Sequence, residues 1–190
     1  MDLQQRRKIE TTRLIHEAAV QLARERGVAA VTIEAICEAA SVSQRTFFNY
    51  FAFKEAVFLF PPPPLPDEAV ERFTKGKGDM LYELIDLLVA QAVEMSQTRW
   101  IGPLMLEIAE THPRLMPLQM AEFQKFEGQL QRLIAGRLDA EPDDVRAMAL
   151  AGAMTGASRA TFDRWRPHAD ADIPARVRES LEALVRTIRG

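Results

Sequence analysis

The sequence holds a single cysteine, Cys37. No disulfide can form within the chain, and a reducing, cytoplasmic setting is expected. No apolar run approaches the roughly 18–20 residues that cross a bilayer. The opening stretch MDLQQRRKIETTRLIHE is charged where a signal peptide would be apolar. A soluble protein with no membrane partner follows from both absences. The three histidines, His16, His112 and His168, are scattered, and none lies three residues after a glutamate. With no HExxH, GxSxG or P-loop either, the chain lacks the residue spacings that metalloproteases, serine hydrolases and nucleotide hydrolases require. An enzyme is therefore the remote alternative, and neither cofactor nor metal is expected. Strand-like alternation and internal repeats are missing too. So is a strong charge: the net is −3, with eight basic and seven acidic residues in positions 1–60. Any nucleic-acid footprint must be a local patch.

What is present is an ordinary globular composition, 47% hydrophobic and 27% charged, laid out with helical periodicity. A helix is predicted over residues 7–26, with Ile15, Ala18, Ala19 and Leu22 on one face and Gly27 as its stop. Thr32 is a good N-cap for a second helix, in which Ile33, Ile36, Cys37 and Ala40 form an apolar stripe. Cys37 is read as a buried structural thiol. Ser41-Val42-Ser43 is a tight turn, and Ser43 can cap a third helix over about 44–51. A fourth helix is expected over Lys54–Phe60.

The run PPPPLP, Pro61–Pro66, must stop that helix and reads as a stiff spacer. It divides the chain into residues 1–60, a linker at 61–66 and a body at 67–190. The body is helical by pattern. Helices are expected over Asp67–Thr74, from Asp79 to about Gln97, from Pro103 to about Thr111, from Pro113 or Pro117 to Leu138, from Pro142 to about Trp165, and from Pro174 onward. The fold class is all-α.

Three short helices with a three-residue turn between the second and third describe a helix-turn-helix. On a helical wheel Phe47, Tyr50 and Phe51 share one side of the third helix, with Arg45, Thr46 and Asn49 opposite. The polar side carries groups that pair with base edges, since Arg can bond bidentately to guanine and Gln or Asn to adenine. Phe48 lies at the boundary and either pads the core or touches a thymine methyl.

Thr32 through Glu55, TIEAICEAASVSQRTFFNYFAFKE, resembles the DNA-binding segment of TetR-family transcriptional regulators. The likeness rests on the capping Thr, the Val-Ser turn, the aromatic pair and the Tyr-Phe followed by Lys, and extends over residues 7–58. Ser41 departs from the pattern, where such turns usually carry glycine. The resemblance implies an N-terminal DNA-binding domain that takes double-stranded DNA. In it Gln44, Arg45, Thr46, Phe48 and Asn49 lie at the major groove, Thr32, Tyr50 and Lys54 contact phosphates, and Ser43 also belongs to the DNA-binding set. Arg6, Arg7 and Lys8, just before the first helix, either reach flanking DNA or form a solvated terminus.

The resemblance also implies a C-terminal body that forms a homodimer and holds a small apolar or amphipathic effector. A dimer has a physical reason, because two heads about 34–36 Å apart can read a palindrome that one helix cannot. The candidate interface is the small-residue face containing Gly152, Gly156 and Ala160, with the seam Val177, Leu181, Leu184 and Ile188; packing within the chain is the alternative for both. Candidate effector-lining residues are Trp100, Met105, His112, Met120, Phe123, Met154 and Phe162, which otherwise belong to plain core. The activity implied is that of a ligand-responsive repressor on a palindromic operator, and a regulator governed by a protein partner is the alternative. Arg45→Ala should weaken operator binding by about 1–3 kcal/mol and relax preference at one base pair, measured on single-pair operator variants. Equal losses on operator and random DNA would make Arg45 a phosphate contact instead.

Overall fold

The computed structural model describes residues 3–96, 101–165, 168 and 171–190. Regular structure among them is helical: α1 (Leu3–Arg26), α2 (Ile33–Ala39), α3 (Gln44–Tyr50), α4 (Asp67–Lys75), α5 (Met80–Ser96), α6 (Gly102–Thr111), α7 (Leu115–Arg137), α8 (Val145–Trp165) and α9 (Ile173–Arg189). Two 3₁₀ turns, Val28–Ala30 and Lys54–Phe58, complete the order. The all-α fold is as expected. The chain forms two compact units, one from Met1–Phe60 with Trp100–Met120, the other from Pro61–Arg99 with Ala121–Gly190.

In the first unit α1 packs against α2 and both 3₁₀ turns, and α2 packs against α3. Ile15 and Ala19 of α1, Ile36 and Cys37 of α2, Phe47 of α3, and Val57 and Phe58 beyond it are all buried. Two element bounds differ from expectation. The first helix begins at Leu3, since Leu3-Gln4-Gln5-Arg6 contains only good helix formers. Arg6, Arg7 and Lys8 therefore belong to its first turns and do not precede it. The expected helix over Lys54–Phe60 is only a five-residue 3₁₀ turn ending at Phe58. Phe53 supplies no capping side chain, and Leu59 is already extended (φ −90°, ψ 145°), as the approach to a proline run demands.

Phe60 ends this unit under firm restraint. The side chain of Gln119, 1% exposed, accepts from the Phe60 N–H and donates to the Phe60 carbonyl, both at 2.8 Å. One side-chain amide thus satisfies both backbone groups of a buried residue. The Phe60 ring lies against the start of α6, where a Cβ on Gly102 would come within 2.7 Å of it.

The second unit is built on α5, which packs against α4 and α9, while α8 also packs against α9. Leu84, Ile85, Leu87 and Leu88 are fully buried with Leu130, Ile134, Ala147, Ala151 and Met154. Burial of each large side chain contributes about 1.5–3 kcal/mol. Val177 and Leu181 of α9 are buried in this same core, and Leu184 packs against it. Their stripe, one of the candidate seams for a second copy, is thus used within the chain, because α9 turns it toward α5 and α8. Ile188 remains 65% exposed. On α8 Ala149, Ala153 and Ala160 are exposed and Gly152 and Gly156 half-buried, while Ala157 packs against the core, so the small-residue face is partly open. Of the effector candidates, Met154 lies in this core and Phe162 packs against it.

Arg137 ties the second unit together. Its Nη1 donates to the Phe73 and Gly76 carbonyls at the end of α4, at 2.5 and 2.6 Å. Its Nη2 lies 2.6 Å from Glu83 Oε2 on α5, and the guanidinium sits over the Phe73 ring, 5.3 Å from its centroid. A Cβ at Gly76 would meet the Glu83 carboxylate, so a larger residue there would have to displace that side chain from Arg137. The side chain of Arg137 is only 10% exposed, which makes removal of one partner costly. Arg137→Ala should lower stability by about 3–5 kcal/mol in urea unfolding. Arg137→Lys should recover only a small part, because an ammonium cannot span two carbonyls and a carboxylate as a planar fork does. A loss under about 1 kcal/mol for Arg137→Ala would assign the network no more than a surface ion pair's value.

Candidate nucleic-acid interface

Local capping sets the frame of the interface. Thr32 Oγ1 accepts from the Ala35 N–H at 3.2 Å and starts α2. At the other end Ser41 adopts φ +54°, the left-handed geometry that glycine usually supplies. Val42 N–H then donates to the Cys37 carbonyl at 2.9 Å and Ser41 N–H to the Glu38 carbonyl at 3.1 Å. This pair of bonds closes the helix in the Schellman manner. Two residues on, Ser43 Oγ accepts from the Thr46 N–H at 3.0 Å and starts α3. It also lies 2.8 Å from Thr46 Oγ1.

α3 has the two faces that the wheel predicts. Phe47 is 0% and Phe51 8% exposed, their rings 5.4 Å apart. Gln44, Arg45, Phe48 and Asn49 are exposed, and Thr46 and Tyr50 are half-buried. Phe48 is 51% exposed and only its edge meets Phe47, at 5.6 Å between centroids. It therefore stands on the outer face and is not core. No side-chain hydrogen bond engages Arg45 or Asn49 among the described residues. Gln44 is engaged: its Nε2 donates to Glu34 Oε1 on α2 at 3.2 Å. Sequence reasoning passed over Glu34, since a ten-residue separation carries no helical or turn signature.

Lys54 is tethered as well. Its Nζ donates to the Val31 carbonyl at 3.0 Å and more weakly to Val28 at 3.4 Å. The ammonium is thereby held beside the residue preceding Thr32, so two of the expected phosphate contacts are brought to one place. A lysine ammonium has three protons, and these bonds leave one.

Behind this face His16 of α1 connects to the chain that follows α3. Its Nδ1–H donates to the Val57 carbonyl at 2.9 Å, and its ring meets the edge of Phe51 at 5.0 Å. Burial of the ring lowers its pKa to about 4, despite the bond to Val57, which acts the other way. Burial likewise raises the Cys37 thiol, the inert state expected of it.

The remaining effector candidates are distributed over both units. Met105 is buried in α6, Met120 is 38% exposed, and Phe123 is half-buried in α7. Trp100 lies outside the described residues. His112 ends α6, where its Nδ1–H donates to the Ile108 carbonyl at 2.9 Å. It also lines a cavity of about 170 Å³, which adjoins a groove of about 320 Å³ and shares Arg24 and Leu104 with it.

This geometry, a half-buried scaffold with an outward row of hydrogen-bonding side chains on a short second helix, defines a helix-turn-helix DNA-binding protein. Comparison with known proteins gives the family. Residues 15–59 match the bacterial regulatory proteins of the tetR family, and residues 83–189 match the MftR C-terminal domain of TetR-type regulators. The chain belongs to the TetR family of DNA-binding transcription regulators, which are not enzymes. It is 29% identical over 180 residues to the HTH-type transcriptional regulator TcmR of Streptomyces glaucescens, covering 89% of this chain and 79% of TcmR. Among solved structures it resembles NalD of Pseudomonas aeruginosa, described as the secondary repressor of the MexAB-OprM multidrug efflux pump. That likeness has a TM-score of 0.56 and 25% identity over 93% of this chain and 96% of NalD. The fatty acid degradation regulator FadR of Bacillus halodurans shares the fold, with a TM-score of 0.55 at 19% identity over 92% and 94% of the two chains. Among the described residues no helix is long and apolar enough to cross a membrane.

The half-buried His16 gives the reading head a pH dependence of definite sign. A histidine whose folded pKa is depressed stabilises the fold fully above its ordinary pKa of 6.5 and loses that contribution as pH falls toward about 4. Over this window the loss should reach about 2–3 kcal/mol. Urea unfolding at pH 7 and pH 4.5 should show a larger drop for the wild type than for His16→Gln. Equal drops would assign the acid sensitivity to other groups.

Proposed function

We propose that the chain is a ligand-responsive repressor of the cytoplasm that binds a palindromic operator as a homodimer. The observation that carries the reading is the outer face of α3, where Gln44, Arg45, Phe48 and Asn49 are exposed above a Phe47–Phe51 anchor. Gln44, Arg45, Thr46, Phe48 and Asn49 address base edges in the major groove. Thr32, Tyr50 and the remaining Lys54 proton hold the phosphate backbone and fix the register. The description of NalD as a repressor supports repression as the polarity.

The partly open small-residue face of α8, with Gly152, Gly156 and Ala160, is the proposed contact between two copies, supplemented by Ile188. Small residues let helix backbones approach closely, and Val145 and Met148, 67% and 50% exposed, add apolar area on the same helix. The effector is a small apolar or amphipathic molecule, drawn to methionine and aromatic side chains of the body. Its binding acts on the head through Lys54–Leu65, the segment that leads from α3 into the proline run.

Selection of bound sequences from random DNA should return a palindrome with half-sites about one helical turn, 34–36 Å, apart. Apolar compounds that raise the Tm should release that operator. An asymmetric motif bound by one copy would end the dimer reading. A compound that raises the Tm with operator affinity unchanged would end the proposed coupling.

A further inference from the structure

We propose that Glu34 is a positioning residue that fixes the amide of Gln44 and thereby sets a preference for adenine at one base pair of each half-site. The inference rests on the assignment of α3 to the major groove and deepens it. Its ground is the bond from Gln44 Nε2 to Glu34 Oε1, 3.2 Å long, between the first turns of α2 and α3.

The chemistry of the pair decides the orientation of the amide. A carboxylate only accepts hydrogen bonds, so the nitrogen of Gln44 must face Glu34 and its oxygen must face away. A freely rotating glutamine presents either end to a base edge and discriminates poorly. Glu34 takes one of the two Nε2 protons. The second proton and Oε1 remain as a donor–acceptor fork, the pattern that adenine N7 and N6 complement. The base of Gln44 is fixed independently, because it is the first residue of a helix capped by Ser43.

Glu34 also carries a cost that a merely structural residue would not need. It is exposed and places a negative charge on the face that meets a polyanion. That charge disfavours close approach to any DNA, and it disfavours bases that present only acceptors at this position, such as guanine O6 and N7.

The test uses the full chain and its selected operator, with single base-pair variants and random DNA as probes. The wild type should prefer adenine at one position by about fivefold or more. Gln44→Ala should abolish that preference and identify the position. Glu34→Ala should reduce it to under about twofold with the Tm unchanged and the preference read by Arg45 intact. Glu34→Gln offers an amide that donates as well as accepts and so does not fix which end of Gln44 faces it; it should retain only part of the preference, between the wild type and Glu34→Ala. Both Glu34 variants should bind random DNA more tightly, having lost the same charge. The double variant Glu34→Ala/Gln44→Ala should be no less selective than Gln44→Ala alone. If Glu34→Ala keeps the adenine preference and only random-DNA affinity rises, Glu34 is no more than a charge and the proposal falls, while the reading of α3 stands. If the wild type distinguishes no sequences at all, it is the assignment of α3 that fails.

Discussion

Ser41 at φ +54° is the constraint on which the reading head depends. A non-glycine residue in the left-handed region costs about 1–2 kcal/mol, and the cost is offset by the two backbone bonds from Ser41 and Val42 to the end of α2. Those bonds leave room for one residue before Ser43 must act as the next N-cap. The angle between α2 and α3 is thus set by backbone geometry within three residues. Everything aimed at DNA inherits it: the outward row of α3, the approach of Gln44 to Glu34, and the burial of Phe47 that keeps the helix from rolling. A glycine at position 41 would adopt the same angle at less cost, but would also make other angles accessible in the unfolded chain.

Polar side chains deliver what prolines cannot. A run of prolines offers carbonyls without donors, so the segment cannot secure itself by a helix or a strand. Phe60, immediately before it, is held in the first unit by both ends of the Gln119 amide. Pro63, within it, is held in the second unit by Gln91, whose Nε2 donates to the Pro63 carbonyl at 2.8 Å. Both glutamines are buried, at 1% and 8% exposure, where an unpaired amide would be costly. The chain passes from one unit to the other between these two holds.

The sequence was most legible where one residue type has one structural use. Ser43 as an N-cap, Thr32 accepting from Ala35 N–H at 3.2 Å, and the proline-marked starts of α6 and α9 all follow from local rules. The inward rings of α3 follow from period alone. Legibility ended where a choice between partners is tertiary. The stripe Val177–Leu181–Leu184 is equally good as a seam between chains or as core, and only the position of α9 against α5 decides. Lys54 has the chemistry of a phosphate contact, yet two carbonyls reach it first. Effector candidates chosen by residue type alone fell into two units, since methionine and phenylalanine fill cores as readily as they line cavities. Glu34 was silent because an exposed acid in a first helical turn is ordinary by itself.

That last residue bears on how the head divides affinity from specificity. Residues 1–60 carry a net charge of only +1, and Lys54 is partly spent on backbone carbonyls. Non-specific binding is driven almost wholly by release of counterions from phosphates, so a head this close to neutral holds random DNA weakly. Adding Glu34 to the reading face weakens it further. The loss falls on every sequence, whereas the fork that Glu34 orients on Gln44 is rewarded at matching base pairs only. A carboxylate in this place therefore lowers total affinity while raising the ratio between right and wrong sites. Among the great excess of competing sites in a genome, that ratio decides occupancy.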